Sequence, residues 1–233
     1  MNRNNHVQIQ AGQKTAHFSW LLVALLAALA LPPLLQATQL GVPGLRLGLT
    51  AVLLAALALL GGEPRALWAG LCLAVPALVF DWTSLVLDSR GFALASSALA
   101  IAFLALVIVR LVDTLLRTNR VTTDTILGGI CVYVLVGVLW VSAFTLVENL
   151  HPGSLLLDGS MLPSSSESFR HSEILYFSFV TLTTLGYGDI QPSTAAARAL
   201  ASGEAIVGQL YVAIFVARLV GLHLAHAQPR SRD

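Results

Sequence analysis

The chain is dominated by apolar runs, each long enough to cross roughly 30 Å of hydrocarbon at about 1.5 Å per helical residue. Six can be read, at 18–36, 44–62, 66–87, 92–112, 126–148 and 203–225. A segment that crosses lipid must satisfy its own backbone polar groups, so runs of this length predict helices and an all-α membrane protein. Composition agrees. Only 11% of the 233 residues are charged and 56% are hydrophobic, where a soluble domain carries about 25% charged residues. A formal net charge of +1, with scattered arginines, excludes a nucleic-acid-binding face. Cys72 and Cys131 each lie inside an apolar run, which excludes a secreted disulfide scaffold and makes both of them small hydrophobes.

The first run lacks a clean cleavage site and carries Pro32 and Pro33 near its outer end, so it reads as a span rather than a signal peptide. The third carries Pro76 in its middle and Asp81 near its outer end, which predicts a kinked helix with Asp81 at the interface or facing its neighbours. Six spans put both termini on one side. With that side cytoplasmic, the inside holds Arg3, Lys14, Arg65, Arg110, Arg117, Arg120, Arg218, Arg230 and Arg232, and the outside holds Arg46, Arg90, Arg170 and Arg198. The positive-inside rule therefore predicts cytoplasmic tails at 1–17 and 226–233. Trp20, Trp68 and Trp82 lie near span ends and suit an interfacial belt, whereas Trp140 sits deeper and requires a packing role. The fourth span carries no basic residue over 92–109, and Arg110, Arg117 and Arg120 arrive only at its cytoplasmic end. They read as anchors, not as charges that cross the field. Ser96 and Ser97 are small polar residues suited to a tight helix contact.

Between the fifth and sixth spans the pattern changes. Residues 149–170 form a polar linker rich in Gly, Pro and Ser, and HSEILYFSFVTL after it is too short to span. Such a stretch reads as a re-entrant helix, expected over 171–183 with Ser172 as N-cap and Glu173 in the first turn. Irregular backbone at membrane depth is tolerated only where protein buries it or where it lines a watery cavity, and 184–189 is the expected irregular piece. Gly186 and Gly188 alternate with residues that carry side chains, so successive carbonyls can point one way and replace the water shell of a cation, with the Thr184 hydroxyl at the inner end. One chain supplies one wall of such a ring, which requires several copies around an axis.

The run TTLGYGD over 183–189 resembles the selectivity filter of potassium channels. The resemblance implies six transmembrane helices plus a re-entrant pore helix, assembled as a homotetramer in a bacterial plasma (inner) membrane, with lipid as its other partner. K⁺ would be held by the carbonyls of Thr184, Leu185, Gly186 and Tyr187 and by the Thr184 hydroxyl. Leu185 stands where Val or Ile is usual, which bears on rigidity more than on selectivity. Gly188 and Asp189 would close the filter, with Tyr176 as partner to Asp189. Val180 stands where some bacterial members carry a carboxylate, and Pro192 resembles the proline of the outer-mouth turn. Gly208 falls at the inner-helix hinge position, or else merely permits close helix contact. Glu204 either hydrogen-bonds behind the pore helix or raises the local cation concentration. The implied division is an arginine-poor sensor-like domain over 18–112, a linker over 113–125 and a pore domain over 126–225, with filter 184–189 and inner helix 203–225. The first four spans would form a peripheral packing ring, and no cytoplasmic ligand-binding domain is expected to be attached. A weakly selective cation channel and a non-conducting membrane subunit are the alternatives. An intramembrane enzyme is disfavoured, because no G-x-S-x-G, no H-E-x-x-H and no convergent carboxylate pair is present.

The missing basic residues carry a prediction, since one elementary charge crossing the field contributes only about 2.3 kcal/mol per 100 mV. Macroscopic currents recorded over a wide voltage range should follow a shallow conductance curve. A steep curve equivalent to several charges per assembly would contradict this reading of 92–112.

Overall fold

A computed structural model describes residues 18–30, 41–58, 60, 64–87, 89–118, 122–162 and 167–227. Its helices are α1 (Phe18–Ala30), α2 (Gly41–Ala58), α3 (Pro64–Leu87), α4 (Arg90–Arg117), α5 (Thr123–Leu150), α6 (Glu167–Leu182) and α7 (Ala195–Ala227). By length and composition, four stretches of the described residues can cross a membrane: Pro64–Ser84, Arg90–Arg117, Thr123–Leu150 and Ala195–Leu222. They correspond to the last four expected spans. The first two expected spans lie only partly within α1 and α2, and Pro32 and Pro33 fall outside the described residues.

Helix α3 runs through Pro76 as one element. Beside it, Ser96 Oγ of α4 donates to Ala77 O at 3.0 Å, the tight contact its small polar side chain suits. Leu25, Leu53, Phe103, Leu104, Val107, Cys131 and Leu135 share one apolar core, with Phe179 and Tyr211 packed against it. Helix α5 shares this core with the first four helices. Trp20 and Trp68 are strongly exposed. Trp140 packs on Phe144, with ring centroids 6.3 Å apart, and against Gly203 of α7, which accounts for its depth.

Two arginines read above only as topological charges bind helix ends. Arg90 Nε and Nη2 donate to Asn149 O and Leu150 O, both at 2.7 Å, at the carbonyl end of α5. Arg218 Nη2 donates to Leu115 O, Leu116 O and Thr118 O at the end of α4. Each supplies protons and positive charge where a helix has orphaned carbonyls and a negative dipole end.

Three boundaries and one element differ from the sequence reading. Helix α6 begins at Glu167, so Ser172 lies within the helix rather than at its N-cap, and Glu173 lies beyond the first turn. Helix α7 begins at Ala195 instead of 203, because AAARALAS is rich in strong helix formers, its arginine among them. Thr194 caps it, accepting from Ala197 N at 3.3 Å. Helix α4 extends to Arg117 and α5 starts at Thr123 behind its N-cap Thr122, which shortens the expected 113–125 linker.

The all-α expectation missed a small antiparallel sheet of β1 (Leu155–Leu157), β2 (Ser160–Met161) and β3 (Ile190–Pro192), ordered β2-β1-β3. Leu157 pairs Ser160 across the two-residue turn Asp158-Gly159, whose φ values are 49° and 78°. Two successive positive φ angles match the right-handed strand twist, and Asp-Gly is a favoured pair for them. Strand β1 also pairs β3, Leu157 opposite Ile190, which ties the hairpin to the chain just after 184–189. The buried Glu148 carboxylate anchors the hairpin, accepting from Gly153 N at 2.8 Å and Leu155 N at 3.0 Å.

Glu148→Ala would strand two backbone donors, each costing about 1–3 kcal/mol if left unpaired. Thermal unfolding of the solubilised protein should fall by several degrees, with earlier proteolysis between Gly153 and Met161. An unchanged melting curve would contradict this anchoring role.

Candidate functional site

Helix α6 is held against its neighbours by close contact. A Cβ at Gly137 of α5 would lie 2.6 Å from the Phe179 ring, and a Cβ at Gly208 of α7 would lie 2.1 Å from Leu182 O. Only glycine admits these approaches. Tyr133 of α5 donates to the same Leu182 carbonyl at 3.3 Å. Helix α7 is continuous through Gly208, so this glycine sits at a helix crossing.

The end of α6 determines how the next residues run. Thr184 N donates to Thr181 O at 2.9 Å and Leu185 N to Val180 O at 2.9 Å. These bonds, with Thr184 at φ 58°, form a Schellman closure in which threonine occupies the left-handed position usually taken by glycine. A β-branched residue there is strained by about 1–3 kcal/mol. Gln209 Nε2 of α7 donates to Thr184 Oγ1 at 2.7 Å and helps hold the residue in place. The Val180 carbonyl, not its side chain, makes these contacts, accepting from Gly186 N as well at 3.4 Å.

Beyond Thr184, the backbone alternates. Gly186 has φ 60° and Gly188 φ 83°, while Leu185 and Tyr187 between them do not enter the left-handed region. Within a single chain residues 183–188 are exposed; Leu185 is 56% and Tyr187 67% exposed. The Tyr187 ring stacks on Tyr176, with centroids 6.4 Å apart and planes 6° apart. Tyr176 Oη donates to Asp189 Oδ2 at 2.7 Å, and Ile190 N donates to Asp189 Oδ1 at 2.9 Å. These bonds lower the Asp189 pKa, the Tyr176 bond most strongly, while the bond to Asp189 pushes the Tyr176 hydroxyl up to about 12. Burial, and then the charge of Asp189, raise the pKa of Glu173. Two further bonds fix the end of this segment: Asp158 N donates to Asp189 O at 2.9 Å, and the side-chain Nε2 of Gln191 donates to Gly188 O at 3.0 Å.

The structure thus brings Thr184, Leu185, Gly186, Tyr187, Gly188, Asp189, Tyr176 and Val180 into one segment and its immediate support. Glu204 lies behind α6, fully buried, with Oε1 2.6 Å from Ser178 Oγ; it does not reach the 184–189 backbone. Sequence reasoning missed Gln209, Ser178, Gly137 and Glu148. The available signal was polarity inside apolar helices, since such a residue must find a partner there.

Residues 133–222 match a family model described as an ion channel; the match spans α5 from Tyr133, the hairpin, α6, the 184–189 segment and most of α7. The chain is also similar to two pore potassium channel c of Oryza sativa subsp. japonica, 36% identical over 64 residues. That alignment covers 28% of this chain and 14% of the rice protein, so the chain spans about one seventh of that relative's length. Both similarities are to channels and not to an enzyme; the family match covers less than half of the chain, and together with the apolar helices they mark a membrane protein.

Proposed function

We propose that the chain is one subunit of a K⁺-selective channel, with four copies placing residues 184–187 around a common axis. The observation that carries this reading is the backbone of 184–188: a strained closure at Thr184 followed by glycines of positive φ at 186 and 188, all exposed on a single chain. An alternating backbone of this kind can turn the carbonyls of Thr184, Leu185, Gly186 and Tyr187 toward one side, where those of several chains replace the hydration shell of K⁺. The Thr184 hydroxyl accepts from Gln209 and keeps a lone pair for an ion at the inner end. Asp189, tied to Tyr176 and to the sheet, would hold the outer end, and Gly188 would permit the exit turn.

Assembly is supported by what one chain leaves uncovered. Helix α7 exposes Ile206, Leu210 and Ile214 at one-turn spacing, and Leu185 has little cover from its own chain. Identical copies arranged cyclically would cover both. In this reading six helices cross a bacterial inner membrane with cytoplasmic termini, lipid surrounds the assembly, and opening follows movement of α7 near Gly208. Because Gly208 lies against Leu182 O, movement there would also reach the end of α6.

Protein reconstituted in liposomes should pass K⁺ in strong preference to Na⁺, and in detergent should have the mass of four chains. Equal K⁺ and Na⁺ fluxes, or a conducting monomer or dimer, would contradict the proposal. Gly186→Ala places a Cβ in a left-handed conformation at about 1–2 kcal/mol per chain, repeated around the ring, and should abolish K⁺ discrimination. Thr184→Ala keeps the carbonyl and should conduct with a weakened inner site. Normal selectivity in Gly186→Ala would count against the filter.

A further inference from the structure

Ser178 Oγ lies 3.1 Å from Gly137 O and 2.6 Å from Glu204 Oε1, with all three residues deep between α5, α6 and α7. A serine hydroxyl carries one proton, and a backbone carbonyl can only accept. Both contacts can be hydrogen bonds at once only if the proton between Ser178 and Glu204 belongs to the carboxyl. The other carboxyl oxygen, Oε2, is buried without a hydrogen-bond partner among the described residues. As the carbonyl oxygen of a neutral acid this is tolerable; as half of a buried carboxylate it is far more costly.

The surroundings offer such a charge no relief. From α5 the facing titratable group is Tyr133, whose proton goes to Leu182 O. The facing polar group of α6 is Ser178, while Tyr176 and Glu173 act on Asp189 toward the outer end. On α7, Arg198 donates to Pro192 O, and Tyr211 donates to Gly129 O. Among the described residues no cation pairs with Glu204.

We propose that Glu204 is a neutral carboxylic acid heading a relay, Glu204 to Ser178 to Gly137 O, that positions α6 and through it the 184–189 backbone. Glu204 is a positioning residue: Ser178 lies six residues before Thr184, and α6 carries the closure that fixes Thr184. Loss of the Glu204 proton forces Ser178 to donate to the carboxylate and to abandon Gly137 O, removing one of the hydrogen bonds that hold α6 to α5. The effect on conduction rests on the channel reading; the protonation state does not.

Infrared difference spectra of wild type against Glu204→Gln test the proton directly. At neutral pH, wild type should show the carbonyl stretch of a neutral carboxylic acid, which the variant lacks and which disappears at alkaline pH. A carboxylate band in its place at neutral pH overturns the proposal, whether or not the protein conducts. The acid band in a protein that passes no K⁺ supports the proton assignment and overturns the channel reading instead. In liposomes, wild-type K⁺ flux should fall reversibly by about tenfold once the acid loses its proton at alkaline pH. Glu204→Gln, whose amide can donate to Ser178, should keep its flux within about twofold of the wild-type value at pH 6 throughout. The same alkaline loss in Glu204→Gln would overturn the positioning role.

Discussion

A helix end leaves carbonyls without partners inside the helix, and the turn that settles them sets the course of the chain that follows. In this protein such a turn closes the end of α6, where Thr184 and Leu185 turn back to Thr181 O and Val180 O. The closure forces a threonine into a left-handed conformation and sends the chain on in the alternating course of residues 185–188. The other contacts around α6 hold that turn in place. Gly208 lets α7 approach the backbone of α6, Gly137 makes room on α5 for the Phe179 ring, and Gln209 takes hold of the Thr184 hydroxyl.

Restraint also comes from outside α6. The Asp158-Gly159 hairpin lies beside Ile190–Pro192 and is anchored by Glu148, while Arg90 binds the last carbonyls of α5. At the opposite end, Arg218 links α7 to the carbonyls of α4. Helix α4 is thus tied to α5 at one end and to α7 at the other, by hydrogen bonds from arginines to backbone carbonyls.

The last four apolar runs and the short helix between the final two were legible in the sequence, because a long apolar run leaves few alternatives to a helix. The start of α7 was not. Ala195–Ser202 lay outside the expected span 203–225, whereas helix propensity and the Thr194 cap decide the boundary. The sheet was missed although its Asp-Gly turn stands in plain view, since a polar linker between spans invites reading as coil. Tyr176 and Asp189 were recognisable as a pair by resemblance, and they stand 2.7 Å apart. Ser178, Gly137 and Gln209 carry no motif; their roles follow from which helices lie side by side, and periodicity alone does not supply that.

The central claim is that the backbone of 184–187 from several chains forms one row of cation sites on an axis. Heavy-cation density in the assembled protein, with Rb⁺ or Tl⁺ replacing K⁺, tests it most directly. The account predicts a line of sites on a four-fold axis, level with the carbonyls of Thr184 to Tyr187. Cation density away from these carbonyls, or an assembly in which the four segments do not meet at an axis, would contradict it.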